Sequence, residues 1–276
     1  MEITSSTILR KHIVLPSDHG SWVFLLSPLL IGLFAGGRWT VASLFLIIAA
    51  LAAFLLRQPL SIVVKIQSGR RSHRDLPTAW FWVIVYGLIS ILAVIGLVLQ
   101  GYSYLLVLTI PGVLVFSWQL YLISKRAERR QAGVEIVASG VLALAAPAAY
   151  WIGVGFYNPT GWLLWLLIWA QSAASIVYAY LRLEQRQLTS LPGKNTRLRM
   201  GRRALLYSTF NFITIIILSI FQVILTMLPL AYAVQWVETI WGVLKPAIGF
   251  KPTSIGLRQL TVSSIYTILF IITWQL

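Results

Sequence analysis

Chemistry in this chain would have to come from a few polar groups placed at the ends of apolar stretches or inside them. The first is Pro16-Ser17-Asp18-His19-Gly20-Ser21-Trp22, a titratable cluster directly ahead of an apolar run. Asp18 and His19 could bind a head group there or move a proton. They also suit a structural purpose, since Asp18 is a good helix N-cap and Trp22 a good interfacial anchor. On a helix, positions four apart share a face, so Arg57, Ser61 and Lys65 form one basic stripe and Tyr178, Arg182 and Arg186 a second. Facing one cavity, the two stripes would hold a phosphate, diphosphate or carboxylate head group. As juxtamembrane anchors they would instead touch anionic lipid. Glu135, just after the Lys125, Arg126, Arg129 and Arg130 cluster, is either a salt-bridge partner or an acid or base at a cavity mouth. Glu238 lies inside an apolar segment, where an ionised side chain costs roughly 2.5 to 3.5 kcal/mol, so it demands a partner, a proton or a wet cavity. Gln171 and Asn211 pose the same question more mildly, with interhelical hydrogen bonds as the default answer.

The elements that carry these groups are membrane helices. Hydrophobic residues make up 58% of the chain and charged residues only 11%, against about a quarter charged in soluble domains. Uncharged stretches of about 20 residues recur, the length that crosses a hydrocarbon core. They predict nine spans, at 21–36, 39–56, 79–99, 102–123, 133–154, 160–181, 205–225, 228–244 and 255–275. Backbone groups in lipid must be satisfied internally, and no barrel-like alternation is present, so the fold class is all-α: a single polytopic transmembrane domain over 1–276. The first span is short. The eighth is separated from the seventh by no polar loop and carries Gln235, Glu238 and Trp241.

Charge placement orients the bundle. With the N-terminus inside, 21 of the 22 basic residues fall on the cytoplasmic side and only Arg38 outside, so the positive-inside rule predicts N-in and C-out in the cytoplasmic membrane. The net charge of +15 is then a topology signal, and no nucleic-acid partner is implied. Residues 1–20 form an interfacial N-terminal segment, while 57–78 and 182–204 are long basic cytoplasmic loops at corresponding points of two four-helix halves, with the ninth span appended.

Absences narrow the chemistry further. No cysteine is present, which removes disulfides, thiolate-bound metals and a cysteine nucleophile. His12, His19 and His73 all sit in polar surroundings, so no pair of axial ligands is available inside the bundle. The seven acidic residues are scattered, with no aspartate pair to hold magnesium, and no nucleotide-binding glycine motif occurs. No metal site and no cofactor are predicted.

Ser17-Asp18-His19-Gly20-Ser21-Trp22 followed by Pro28, Leu56-Arg57-Gln58-Pro59-Leu60 at a helix end, and Glu135 ahead of Ala145-Ala146-Pro147 together resemble the YwiC-like membrane protein family. That resemblance implies a membrane protein and assigns no reaction. The nine-span layout, with its large loops after spans two and six, also resembles UbiA-type intramembrane prenyltransferases, whose loops carry N-D-x-x-D and D-x-x-x-D motifs for magnesium and an isoprenyl diphosphate. Here those places read Arg57-Gln58-Pro59-Leu60-Ser61 and Arg182-Leu183-Glu184-Gln185-Arg186. Cations stand where the metal ligands would be, so the resemblance implies a shared bundle without magnesium-diphosphate chemistry.

Three functions follow as expectations. The first is a catalytically diverged UbiA-like bundle that binds an isoprenoid, quinone, pigment or lipid and serves as an accessory or assembly subunit of a larger membrane complex. The second is an enzyme acting on an isoprenoid or lipid-linked diphosphate, with Arg57, Lys65, Arg182 and Arg186 as phosphate clamps and His19, Asp18 or Glu135 as acid or base. The third is a small-solute transporter that uses Glu238.

Overall fold

The computed structural model describes residues 11–14, 19–127 and 131–276, and among them every regular element is helical. A 3-10 turn at His19–Trp22 leads into α1, Val23–Gly36. Gly37, with φ of 73°, ends α1 in the left-handed conformation that glycine adopts without a Cβ penalty. Thr40 and Ser43 then form a reciprocal capping box that starts α2, Val41–Gln67. After it come α3 (Leu76–Leu99), α4 (Thr109–Ser124), α5 (Ala132–Leu142) and α6 (Ala145–Val154). The second half holds α7 (Thr160–Gln185), α8 (Lys194–Ile220), α9 (Pro229–Leu244) and α10 (Pro252–Gln275).

Seven of the nine expected spans are long and apolar enough to cross a membrane, α5 and α6 together counting as one. The first and eighth are the exceptions. Helix α9 has 16 residues, a rise of about 24 Å against a hydrocarbon core of about 30 Å.

Two expectations about connections need correction. Residues 57–78 and 182–204 are largely helical rather than loops, because α2 runs on to Gln67, α7 reaches Gln185 and α8 starts at Lys194. Their Arg, Lys, Gln and Leu residues are good helix formers, so the helices project past the apolar boundary, α2 until just before Gly69 and α8 starting directly after Pro192-Gly193. The fifth span is broken at Ala143 and Leu144. Pro147 has no N–H to offer the Ala143 carbonyl, and the chain tightens there, with Leu144 N donating to Val141 O at 3.1 Å. Trp165 and Trp169 of α7 hold the broken span by donating their indole N–H to Gly140 O and Ile136 O, each at 2.8 Å.

A close helix crossing joins α1 to α6. Gly32 and Gly36 lie four residues apart on α1 and meet Ala146 and Gly153, and a Cβ on Gly36 would come within 2.9 Å of Gly153 Cα. Small residues at this spacing let backbones approach, which supplies the van der Waals contact that drives helix association in lipid. By contrast α4 buries none of its residues, and Val113 and Leu114 are 63% and 66% exposed, as expected of a helix facing acyl chains.

Candidate functional site

Helices α2, α4, α5, α7 and α10 surround a polar cavity of about 510 Å³. Arg57, Gln58 and Lys65 line it from α2, Gln119 from α4, Glu135 from α5 and Gln259 from α10. The 3-10 turn places Gly20 and Ser21 at the same cavity. Ser61 lines it as well, with its hydroxyl donating back to Arg57 O at 2.7 Å. On the opposite side Ser175 Oγ donates to Gln259 Oε1 at 3.0 Å. Glu135 accepts from Tyr180 Oη at 2.7 Å, which fixes one carboxylate oxygen.

A second cavity, of about 450 Å³, lies alongside between α2, α3, α4 and the broken span. Its lining is apolar, with Leu46, Phe54, Val94, Leu105 and Val113 as typical members. Phe54, Arg57, Phe116, Gln119, Ala138 and Leu142 line both cavities. The two spaces therefore share a wall, with Arg57 the one charged side chain common to both. A charged chamber beside an apolar one offers two chemistries across one wall: hydrogen-bonding and ionic groups on one side, dispersion contacts on the other.

The second basic stripe does other work. Arg182 is 2% exposed and its Nη1 donates to Gln185 Oε1 (3.0 Å), Gly242 O (2.9 Å) and Lys245 O (2.7 Å). Those carbonyls end α9, so a buried cation caps the negative end of that helix. Arg186 Nε reaches Phe250 O at 3.1 Å and holds the α9–α10 connection. Tyr178 is fully buried and donates to Glu238 Oε1 at 2.7 Å. Glu238, 8% exposed, also receives a forked pair from Arg258, Nε to Oε1 at 2.6 Å and Nη2 to Oε2 at 2.8 Å. The Arg258 guanidinium stacks 3.7 Å from the Trp241 ring centroid, and Arg182 lies 5.3 Å from the same ring. The partner that Glu238 required is thus a planar fork from α10 supported by an aromatic face.

Of the residues singled out by sequence, Arg57, Lys65 and Glu135 come together at the polar cavity, and Tyr178, Arg182, Arg186 and Glu238 gather around the end of α9. Asp18 lies outside the described residues, and of His19 the backbone alone is described, opening the 3-10 turn. Asn211 Nδ2 donates to Ala170 O at 2.6 Å, the expected interhelical bond, and Gln171 is buried on α7. Sequence reasoning missed Gln119 and Gln259 at the cavity and Arg258 in the ion pair. Gln119 had a visible signal, a lone amide inside an apolar span.

Fold and site together define a polytopic all-helical membrane protein, which places it against a lipid bilayer, with a polar and an apolar cavity side by side in its interior. Residues 15–150, just under half of the chain, match the family model described as YwiC-like protein, and over that stretch the chain is similar to that family. The match takes in Arg57, Lys65, Gln119 and Glu135, while the Glu238 cluster lies beyond it. No curated protein and no solved structure matches the chain.

Proposed function

We propose that this protein binds one amphiphile, a lipid or isoprenoid with an anionic head group, with the head against Arg57 and Lys65 and the tail between α2, α3 and α4. The observation that carries this reading is the shared wall of the two cavities, where Arg57 and Gln119 border an apolar chamber. The positive-inside rule supports a head chamber on the cytoplasmic side, with the N-terminus inside and the C-terminus outside. On this account the chain is a catalytically diverged UbiA-like bundle that presents or stores its ligand as an accessory subunit of a membrane complex. Magnesium does not fit the head chamber: Arg57 and Lys65 would repel it and Glu135 is the one carboxylate among the described lining residues. A head group here is held by cations directly.

Native mass spectrometry of the protein purified in mild detergent tests the binding, and polypeptides co-eluting at fixed stoichiometry test the accessory role. One retained amphiphile per chain is expected, lost when Arg57 and Lys65 are both replaced by Gln. A chain that carries no amphiphile under conditions that preserve its fold would refute the proposal.

The second reading is an enzyme acting on an isoprenoid or lipid-linked diphosphate, and Glu135 at the cationic cavity favours it, since a carboxylate there could move a proton. Turnover of such a diphosphate that disappears in Arg57→Ala with folding intact would support it over simple binding.

A further inference from the structure

The apolar chamber has two unlike ends. Along α2 its lining runs from Arg57 to Leu46, eleven residues of helix and so about 16 Å. At the Arg57 end lies the wall shared with the polar cavity. At the other end Leu46 clusters with Leu97, Leu105 and Leu108, which brings the close of α3 and the 3-10 turn Ser103–Leu108 beside it. There the wall is incomplete. Helices α3 and α4 each pack on α2, yet they hardly touch one another. Val98 on α3, Leu106 in the turn and Val113 on α4 line the chamber and are also 36%, 42% and 63% exposed, so they form the rim of an opening in its side. All three side chains are apolar and match the lipid tails they meet. The volume sets what can lie between the two ends. A dry cavity of about 150 Å³ holds one benzene ring, so one of about 450 Å³ encloses about eighteen carbon atoms, a single hydrocarbon chain with no room for a second.

We infer that the chamber is a passage for one hydrocarbon chain, which starts beside Arg57 and leaves between α3 and α4, so that the site accepts tails longer than it can enclose. This deepens the amphiphile reading and rests on it. A chamber closed at the Leu46 end would measure its ligand, since extra methylenes in a filled space force side chains and backbone out of place. An open end leaves the surplus carbons among lipid tails, which are as apolar as the chamber wall. Two sources offer such a chain, a polyprenyl phosphate and a long-chain acyl lipid.

The test titrates the delipidated full chain in neutral detergent, read by native mass spectrometry, with two series of probes at equal mole fraction in the micelle: farnesyl, geranylgeranyl and undecaprenyl monophosphate, and lauroyl, oleoyl and nervonoyl lysophosphatidylglycerol. In each series the longest chain should bind within roughly threefold of the middle one, one copy per protein. The series that binds more tightly identifies the source. Val113→Trp narrows the rim and should lower the affinity ratio of undecaprenyl to farnesyl monophosphate at least tenfold, while Leu114→Trp, on the neighbouring exposed position that does not line the chamber, should leave that ratio as it is. Longest chains that bind tenfold or more weaker than the middle ones in the wild type, or a ratio that Val113→Trp does not move, overturn the inference while leaving the amphiphile reading intact. Two copies of farnesyl monophosphate per protein, both displaced by Gly112→Trp, would overturn it as well by showing room for a second chain. Binding of no probe at all overturns the amphiphile reading itself. Should Val113→Trp fail to fold, the two chain-length series on the wild type decide.

Discussion

Replacing Glu238 by Gln keeps the shape of the side chain and removes its charge, which isolates the electrostatic worth of the cluster at the end of α9. In the native arrangement Oε1 accepts from Tyr178 at 2.7 Å and from Arg258 Nε at 2.6 Å, and Oε2 accepts from Arg258 Nη2 at 2.8 Å. The amide nitrogen of Gln would face a guanidinium donor, so at least one of these bonds is lost and a donor meets a donor. A hydrogen bond to a charged group contributes about 1.5 to 3 kcal/mol. Breaking a fully buried pair costs about 3 to 5 kcal/mol, but the Arg258 side chain is 41% exposed and water recovers part of its solvation. The expected destabilisation is therefore about 2 kcal/mol, measured by reversible unfolding in mixed micelles with increasing dodecyl sulfate. A double-mutant cycle with Arg258→Gln should give a coupling of about 1 kcal/mol or more, as expected of contacting residues. A Glu238→Gln variant within about 0.5 kcal/mol of the parent, together with zero coupling, would refute the assignment of this cluster to stability. Solute flux in proteoliposomes that vanished in this variant with its fold intact would point instead to transport through Glu238.

The close α1–α6 crossing predicts that Gly153→Leu fails to give folded protein, since even a Cβ there would lie 2.6 Å from Gly36 Cα, whereas Gly133→Leu, with open space beyond it, should be tolerated; size-exclusion profiles of the two variants make the comparison. Arg182→Met removes the donor to Lys245 O, while Gly242 O keeps Gln185 Nε2 and Gln185 Oε1 keeps Ala247 N, and should cost about 1 to 3 kcal/mol in the same unfolding assay; Arg182→Lys should recover only part of it because an ammonium lacks the planar fork. Removing the Trp169 indole donor by Trp169→Phe should loosen the broken fifth span at a cost of about 1 kcal/mol, seen as faster hydrogen exchange at the amides around Ile136 and Gly140.

The helical segments were legible because a membrane span is a local property: about twenty apolar residues announce themselves without reference to any neighbour. Their ends were less legible. Arg57 to Gln67 reads as loop by charge yet continues α2, since basic residues are good helix formers and hydropathy is blind to a helix that leaves the membrane. Pro147 was visible in the sequence, but whether it kinks or breaks its helix depends on the Trp165 indole, which answers the Gly140 carbonyl from another helix. At the site, Arg57, Ser61 and Lys65 line one cavity. The matching stripe of Tyr178, Arg182 and Arg186 has the same spacing, and its use at α9 is decided by which helix packs beside it, a fact of tertiary structure. The Glu238 partner was inferable as a requirement but not as Arg258, twenty positions away across a connection that folds back.

The proposal has one amphiphile occupying the two adjacent cavities. Gly112 lines the apolar chamber, and a Cβ there would meet only Val141 Cγ1 at 3.8 Å, so a bulky side chain can grow into the space without striking backbone. The direct measurement is the amphiphile content of Gly112→Trp purified beside the wild type in mild detergent, with unfolding midpoints recorded for both. The account expects the folded variant to lose the single amphiphile that the wild type retains; an equal amphiphile content in the two proteins, at equal stability, would contradict it.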